Sequence, residues 1–277
     1  MKISVLGCGN STGVPVPACD CQVCLSKDSK NQRLRPSIYV EVPSEPSEEG
    51  NVSAVGKISE KIAILIDTGA DLRQQVLRAQ IKKLDAVFYT HVHADHVHGI
   101  DDLRGFCFTR KEPLDAYASD GSILQLRETF RYIFEKNSSY VGGCPPRLNF
   151  TPLVPFETVA ISSVQILPLP LLHGNLEILG FRIGKFAYLT DCSKIPQRTF
   201  EFLEKLEVLI IDGLRYRPHA THFSLSEAVS EIEKIKPRRS YLTHLSHDVD
   251  YSYGNAILRN MSKLDIELAY DGLTINL

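Results

Sequence analysis

The sequence predicts a single α+β domain whose apolar strands end in metal-ligating side chains and whose helices pack against the sheets. Three observations predict it. Segments 61–67, 85–90, 164–172, 186–191, 208–212 and 240–244 are short apolar runs rich in β-branched and aromatic residues, the composition of buried strands. Ile123, Leu126, Phe130, Ile133 and Phe134 recur at helical spacing within 122–136. A chain of 277 residues with 43% hydrophobic content suits one domain with two packed sheets, and no internal repeat or second-domain boundary interrupts 1–277.

In chain order, the first marked element is a CxCxxC loop, Cys19, Cys21 and Cys24, within 19–24. Three clustered thiolates suit a tetrahedral structural Zn²⁺ that needs one more ligand. His247, three residues beyond His244, fits as the fourth and would tie the amino-terminal loop to the carboxy-terminal region. Seven cysteines are an odd number and no secretory signal is expected at the start, so disulfides are not expected either. Cys8, Cys107, Cys144 and Cys192 are expected as small core residues. Polar residues 43–60 predict an exposed hairpin loop between two strands.

The strand 61–67 ends in Asp67-Thr68-Gly69, a turn whose carboxylate can orient a histidine. The strand 85–90 runs into His91-Val92-His93-Ala94-Asp95-His96, three imidazoles and a carboxylate in six residues. A helix is predicted over 122–136, and the Gly- and Pro-punctuated 137–146 predicts a mobile loop with Tyr140 near a pocket. The run 164–172 ends at His173, 186–191 ends in Asp191, and 240–244 ends in His244. After the strand 208–212, a loop carries His219 and His222 just ahead of Ser224, the apparent N-cap of a helix over 225–235.

Alone, a strand-end Asp is usually a turn residue and a lone His is usually solvated or packed. Together these side chains point to two cations. The turn 91–96 can supply imidazoles to one and a carboxylate plus imidazole to the other, and Asp191 can bridge them. Zn²⁺, Mn²⁺ and Fe²⁺ all accept such ligands.

The order Asp67-Thr68-Gly69, His91-x-His93-x-Asp95-His96, His173, Asp191, His244 resembles the metallo-β-lactamase superfamily across nearly the whole chain. That resemblance implies a four-layer αββα sandwich with a two-metal site at the sheet edges. It implies that His91, His93 and His173 hold one metal, that Asp95, His96 and His244 hold the other, and that Asp191 bridges. His rather than Glu at position 93 argues against the flavodiiron branch. The implied chemistry is two-metal hydrolysis, in which the cations acidify a water and neutralise charge on the attacked group. The leaving alkoxide needs a proton, for which His222 is preferred and His219 is the fallback. Asp95 and His222 are thus the expected catalytic side chains.

Four further stretches are similar to the PhnP-type cyclic phosphodiesterases: LGCGNSTGVP at 6–15, the cysteine cluster, the motif extended through 98–104 (HGIDDLR), and Thr243-His244-Leu245-Ser246-His247. That resemblance implies hydrolysis of a small cyclic phosphodiester such as 5-phosphoribosyl 1,2-cyclic phosphate, with two catalytic metals and a structural zinc. Arg35 and Arg104 are candidate phosphate contacts, and Tyr140 and Tyr216 candidate stacking residues, although solvation or packing explains such residues as readily. The alternatives are a tRNA 3′-end endoribonuclease, for which no protruding Gly- and Pro-rich arm is evident, a PqqB-like protein, and a non-catalytic metal-binding protein. Related folds dimerise, so a homodimer is admissible, but no interface is legible.

A formal net charge of −2 gives no general attraction for nucleic acid. No apolar run approaches the roughly 18 residues that cross a bilayer. A cytoplasmic enzyme without membrane or nucleic-acid partners is therefore expected.

Overall fold

The computed structural model describes residues 1–44, 61–108, 110–135 and 144–277. Strands β1 (Lys2–Gly7), β2 (Ser37–Pro43), β3 (Lys61–Ile66), β4 (Ala86–Phe88), β5 (Leu114–Ser119) and β6 (Leu148–Leu153) come first. They are followed by β7 (Val159–Ile161), β8 (Val164–His173), β9 (Leu176–Ile183), β10 (Phe186–Leu189), β11 (Val208–Asp212), β12 (Arg239–Thr243), β13 (Ile266–Leu268) and β14 (Thr274–Asn276). They form two seven-stranded sheets, β14-β1-β2-β3-β4-β5-β6 and β13-β12-β11-β10-β9-β8-β7. In each sheet one half is antiparallel and the other parallel: β3 to β6 run together in the first, β10 to β13 in the second.

Alternation of side chains decides what each face meets. In β3, Ile62, Ile64 and Ile66 enter the core between the sheets, whereas Ala63 and Leu65 turn to the helices outside. In β4, Ala86 and Phe88 face inward and Val87 faces out. The Phe88 ring stacks on Tyr117 at 4.6 Å and meets Phe181 of the second sheet edge-on at 5.4 Å, so it joins the two layers. Each such fully buried apolar side chain is worth about 1.5–3 kcal/mol.

Leu72, Val97, Ile100, Leu103, Ile123 and Leu126 cover the outer face of the first sheet. The second sheet is covered by the helices Leu225–Ile235 and Tyr251–Met261. The Leu225–Ile235 helix buries Leu225, Ala228, Val229, Ile232 and Ile235 on one side, and Ser224 caps it in a box with Glu227. The architecture is the four-layer αββα sandwich.

Two expectations need correction. The helix expected over 122–136 is a helix Asp120–Thr129, a break at Phe130 (φ −115°, ψ 44°) and one turn Arg131–Phe134. Tertiary contacts overrule the periodicity: the Phe130 ring packs edge-on against His98 at 5.6 Å, and the Tyr132 hydroxyl donates to Asp101 at 3.1 Å. Cys144, expected in the core, is exposed in the segment leading to the edge strand β6, whereas Cys8, Cys107 and Cys192 are buried. Most of the hairpin loop expected at 43–60, and of the loop at 137–146 with Tyr140, lies outside the described residues. Among the described residues no helix is long and apolar enough to cross a membrane.

Candidate metal centre

Parallel strands deliver their carboxyl ends to one rim. Asp67 follows β3, the 91–96 turn follows β4, Asp191 follows β10, Asp212 closes β11 and His244 follows β12; His173 is the last residue of β8. Asp67 (φ 64°), Asp191 (φ 57°) and His244 (φ 60°) have left-handed backbones, which cost a non-glycine residue of order 1–3 kcal/mol and turn the side chain inward as the strand ends. The 67–69 loop is laced to the histidine turn: the Thr68 N–H donates to the His96 carbonyl at 2.7 Å, and the Gly99 N–H to the Thr68 carbonyl at 2.7 Å. A Cβ on Gly69 would lie 2.1 Å from the Asp95 carbonyl oxygen, so this approach requires glycine.

Asp191 lies at the centre. One oxygen-and-nitrogen group comprises His91, His93 and Asp191, and a second comprises Asp95, His96, Asp191 and His244; in each, all ligand atoms lie within 4.8 Å of one another. The His91 and His93 rings are 4.5 Å apart, with His173 at 5.7 and 5.1 Å from them, and His173 also groups with Asp191 and His222. Asp191 Oδ1 is 3.2 Å from His96 Nε2, and its Oδ2 is 3.2 Å from His244 Nε2 and 3.7 Å from His91 Nε2. Asp95 Oδ2 is 3.3 Å from His244 Nε2 and 3.5 Å from His96 Nε2.

The far nitrogens are held from behind. His96 Nδ1 is 2.8 Å from Asp67 Oδ2, and Asp67 is itself fixed by the Thr90 N–H and hydroxyl, each donating at 2.9 Å. The His173 Nδ1–H donates to the Asp191 carbonyl at 2.9 Å, and His91 Nδ1 is 3.0 Å from the Thr90 hydroxyl. These contacts leave Nε2 of each imidazole for the centre. His91 Nε2 and His96 Nε2 are buried without a hydrogen-bond partner. Orphaned inward nitrogens beside two buried carboxylates fit a pair of divalent cations.

Electrostatics agree. Burial would raise Asp95 and Asp191, but His96 and His244 hold the Asp95 carboxyl well below its ordinary range, and His244 and His96 do the same for Asp191. Burial opposes charge on His96 and His244 too, yet the facing carboxylates, Asp191 first, raise both. Burial, with His96 nearby, depresses His91. The cluster thus demands positive charge at its centre.

His222 stands at the edge, its ring 4.6 Å from that of His173 and 4.7 Å from that of His244. Its Nδ1 is 2.7 Å from Oδ2 of Asp212, which is fully buried. Burial, with His244, pushes His222 down to about 4, while burial raises Asp212 well above its ordinary range. At 2.7 Å the two titrate as one coupled pair. Asp212 had been legible only as a strand end: its partner lies ten residues on, and the one clue was an acid closing a run of four apolar residues. His219, exposed, packs its ring 5.2 Å from that of His222, and its Nδ1 accepts from the Thr221 N–H.

A second cluster joins distant segments. Sγ of Cys19, Cys21 and Cys24 lies 3.2, 3.6 and 3.6 Å from His247 Nδ1. A tetrahedron with Zn–S of about 2.3 Å and Zn–N of about 2.0 Å has an S-to-N edge of roughly 3.5 Å, so the cluster has the dimensions of that ion. The Cys24 N–H draws the Cys21 thiol down to about 7, and burial pushes Cys24 up to about 11.

The other candidates have protein partners. Arg35 forms a two-pronged pair with Asp71 and donates to the Ser11 carbonyl, and Arg104 pairs with Asp101 at 2.8 Å. Tyr216 packs on Tyr253, ring centroids 6.3 Å apart.

Comparison with known proteins gives three findings. A family model described as the Beta-lactamase superfamily domain matches residues 63–245. A crystal structure of a new diphosphatase from the PhnP family superposes with a TM-score of 0.83 at 38% identity, covering 99% of this chain and 96% of that one. Among curated sequences, an octanoyltransferase of Porphyromonas gingivalis is 39% identical over 248 residues, and a ribonuclease Z of Exiguobacterium sibiricum is 40% identical over 67. These alignments take in 89% and 24% of this chain, but only 46% and 21% of the relatives, so the match spans less than half the length of either of these two relatives.

Proposed function

From the premise that the chain belongs to the beta-lactamase superfamily of metal-dependent hydrolases, we propose a dinuclear phosphodiesterase for small cyclic phosphodiesters such as 5-phosphoribosyl 1,2-cyclic phosphate. The observation that carries this reading is Asp191, whose carboxylate belongs both to the His91–His93 group and to the Asp95–His96–His244 group. A shared carboxylate between two nitrogen-rich sets suits two cations acting on one phosphoryl group. We assign His91, His93 and His173 to one cation, Asp95, His96 and His244 to the other, and Asp191 to both. Zn²⁺, Mn²⁺ and Fe²⁺ all match these donors. The pair would supply Lewis acidity and an acidified water.

The chain's own residues do the rest. Asp67 fixes the His96 ring through Nδ1, and the Asp191 carbonyl does so for His173. Asp95, held ionised beside the rim, would orient the attacking water. His222, its Nδ1 engaged by Asp212, offers Nε2 as the donor to the leaving alkoxide. Cys19, Cys21, Cys24 and His247 would hold a structural Zn²⁺ that fastens the amino-terminal loop. Seven cysteines outside any disulfide accord with a cytoplasmic setting.

A second reading has one specific support. The 38% identical neighbour is described as a diphosphatase, so a phosphoanhydride is the competing substrate class. The test pairs metal analysis of the purified protein with turnover of bis(4-nitrophenyl) phosphate, a ribose 1,2-cyclic phosphate, a 2′,3′-cyclic nucleotide and a nucleoside diphosphate derivative. Preference for the cyclic esters supports the proposal. Preference for the anhydride replaces its substrate class, and no turnover by protein carrying two cations refutes hydrolysis of phosphoesters.

A further inference from the structure

The largest fully buried side chain of the described residues is neither an aromatic nor an aliphatic one; it is Arg33, 1% exposed. Among the described residues its guanidinium has no carboxylate in salt-bridge range. Backbone carbonyls take its protons instead: Nη1 donates to Ser246 at 3.0 Å and Nη2 to Val249 at 2.7 Å. Nη2 also donates to Asn31 Oδ1 at 3.1 Å, and that oxygen accepts from the Tyr251 N–H at 2.8 Å. A buried cation with no direct ion pair, offset by carbonyl dipoles and by the more distant charges of Asp271 and Asp250, is costly, so a role for it is expected.

Its position supplies that role. The Arg33 main chain exchanges hydrogen bonds with Val14, N–H to carbonyl at 2.7 Å and carbonyl from N–H at 2.8 Å. Two residues past Val14, the Val16 N–H donates to Cys24 Sγ at 3.3 Å, so the backbone of Arg33 grips the foot of the cysteine loop. Its side chain grips both ends of 246–249, the turn that carries His247 and that begins directly after His244 and Leu245. Leu245 is held in addition by its N–H donating to the Cys8 carbonyl at 2.8 Å. One residue therefore spans both chain segments of the thiolate cluster and fixes the turn through which that cluster reaches the imidazole beside Asp95 and Asp191.

We propose that Arg33 is a positioning residue that couples the Cys19–Cys21–Cys24–His247 centre to His244, so that the seating of one cation sets the affinity for another. The inference rests on the metal assignments proposed above. Loss of a residue that orients a ligand typically lowers metal affinity about 10- to 100-fold. The test compares the wild-type protein with Arg33→Lys, which keeps the charge but cannot span two carbonyls, and with Arg33→Gln. Two readouts are taken: thiolate-to-cobalt charge-transfer absorption after Co²⁺ loading, and chelator competition for the cations of the catalytic pair. In Arg33→Lys, both the cobalt spectrum and the affinity for one catalytic cation should change, the affinity by about 10- to 100-fold. KM for bis(4-nitrophenyl) phosphate should stay unchanged, and excess cation should restore kcat. Arg33→Gln should be worse on each count. A lowered melting temperature with unaltered chelator competition would make Arg33 a stability residue only and overturn the proposal. Wild-type protein that shows no thiolate-to-cobalt band, or that takes up no cation at the Asp191 site, would remove the underlying assignments instead, and the two failures are read from different samples.

Discussion

Replacing Asp212 by Asn tests the proton-donor assignment more sharply than deleting His222. The substitution keeps the shape of a fully buried side chain 2.7 Å from His222 Nδ1 but removes its charge. An Asn oxygen can still accept from Nδ1–H, so the ring keeps its orientation; what disappears is the charge assistance to an imidazolium. A hydrogen bond to a charged group is worth about 1.5–3 kcal/mol, and about 1.4 kcal/mol is tenfold in rate, so kcat should fall roughly 10- to 150-fold where a proton must be delivered. The assay is a leaving-group series under saturating metal, running from methyl and phenyl esters to 4-nitrophenyl esters of one phosphodiester. The slow esters should lose the full factor. The 4-nitrophenyl ester, whose leaving group departs unaided, should lose less than about threefold by the same charge argument. Equal loss across the series would refute the reasoning, because then Asp212 would act on cation seating or packing rather than on proton delivery.

Four other variants have defined outcomes. Asp191→Ala should lower activity by orders of magnitude and leave less than a full complement of catalytic cations by elemental analysis, whereas His93→Ala should cost one cation and comparable activity. Cys21→Ala should lose one zinc per chain and melt lower, by about 2–4 °C for each kcal/mol of stability lost, with turnover reduced only indirectly; full zinc retention would contradict the four-ligand assignment. Asp250, N-cap of the helix Tyr251–Met261, is held below the ordinary carboxylate range, chiefly by the Tyr253 N–H. A depressed acid stabilises the fold above its unfolded-state range, and that contribution vanishes as pH falls through its folded value. Asp250→Ala should therefore be less stable than wild type at pH 7, by about 1 kcal/mol, and the gap should close in acid; a gap independent of pH would rule this out.

The parts of the fold with strong local signals could be read from the sequence. The strand 208–212 and the helix 225–235 lie where apolar runs and the Ser224 cap place them, because burial and capping agree there. The short strands β13 and β14 carry too few apolar residues to announce themselves and exist by pairing with β12 and β1. Phe130 breaks a helix that its own periodicity favours, since the segment carrying His98 and Asp101 competes for it. Within the site, the 91–96 cluster is dense enough in sequence to be seen, and the lone Asp67, His173, Asp191 and His244 gain meaning only from the resemblance that orders them. Asp212 stayed hidden because a buried acid–imidazole contact leaves no periodic trace when a loop separates its members. Arg33 was hidden for a related reason: a sequence shows a charge, and the expectation for a charge is solvent.

The left-handed backbones of Asp67, Asp191 and His244 carry a lesson for how this scaffold ages and is engineered. Each is a place where chemistry is retained against conformational preference, so drift that abandons catalysis would find glycine there advantageous, and an inactive descendant would outlast its parent on heating. Consensus-style stabilisation of this chain should accordingly spare those three corners and look for its gains elsewhere.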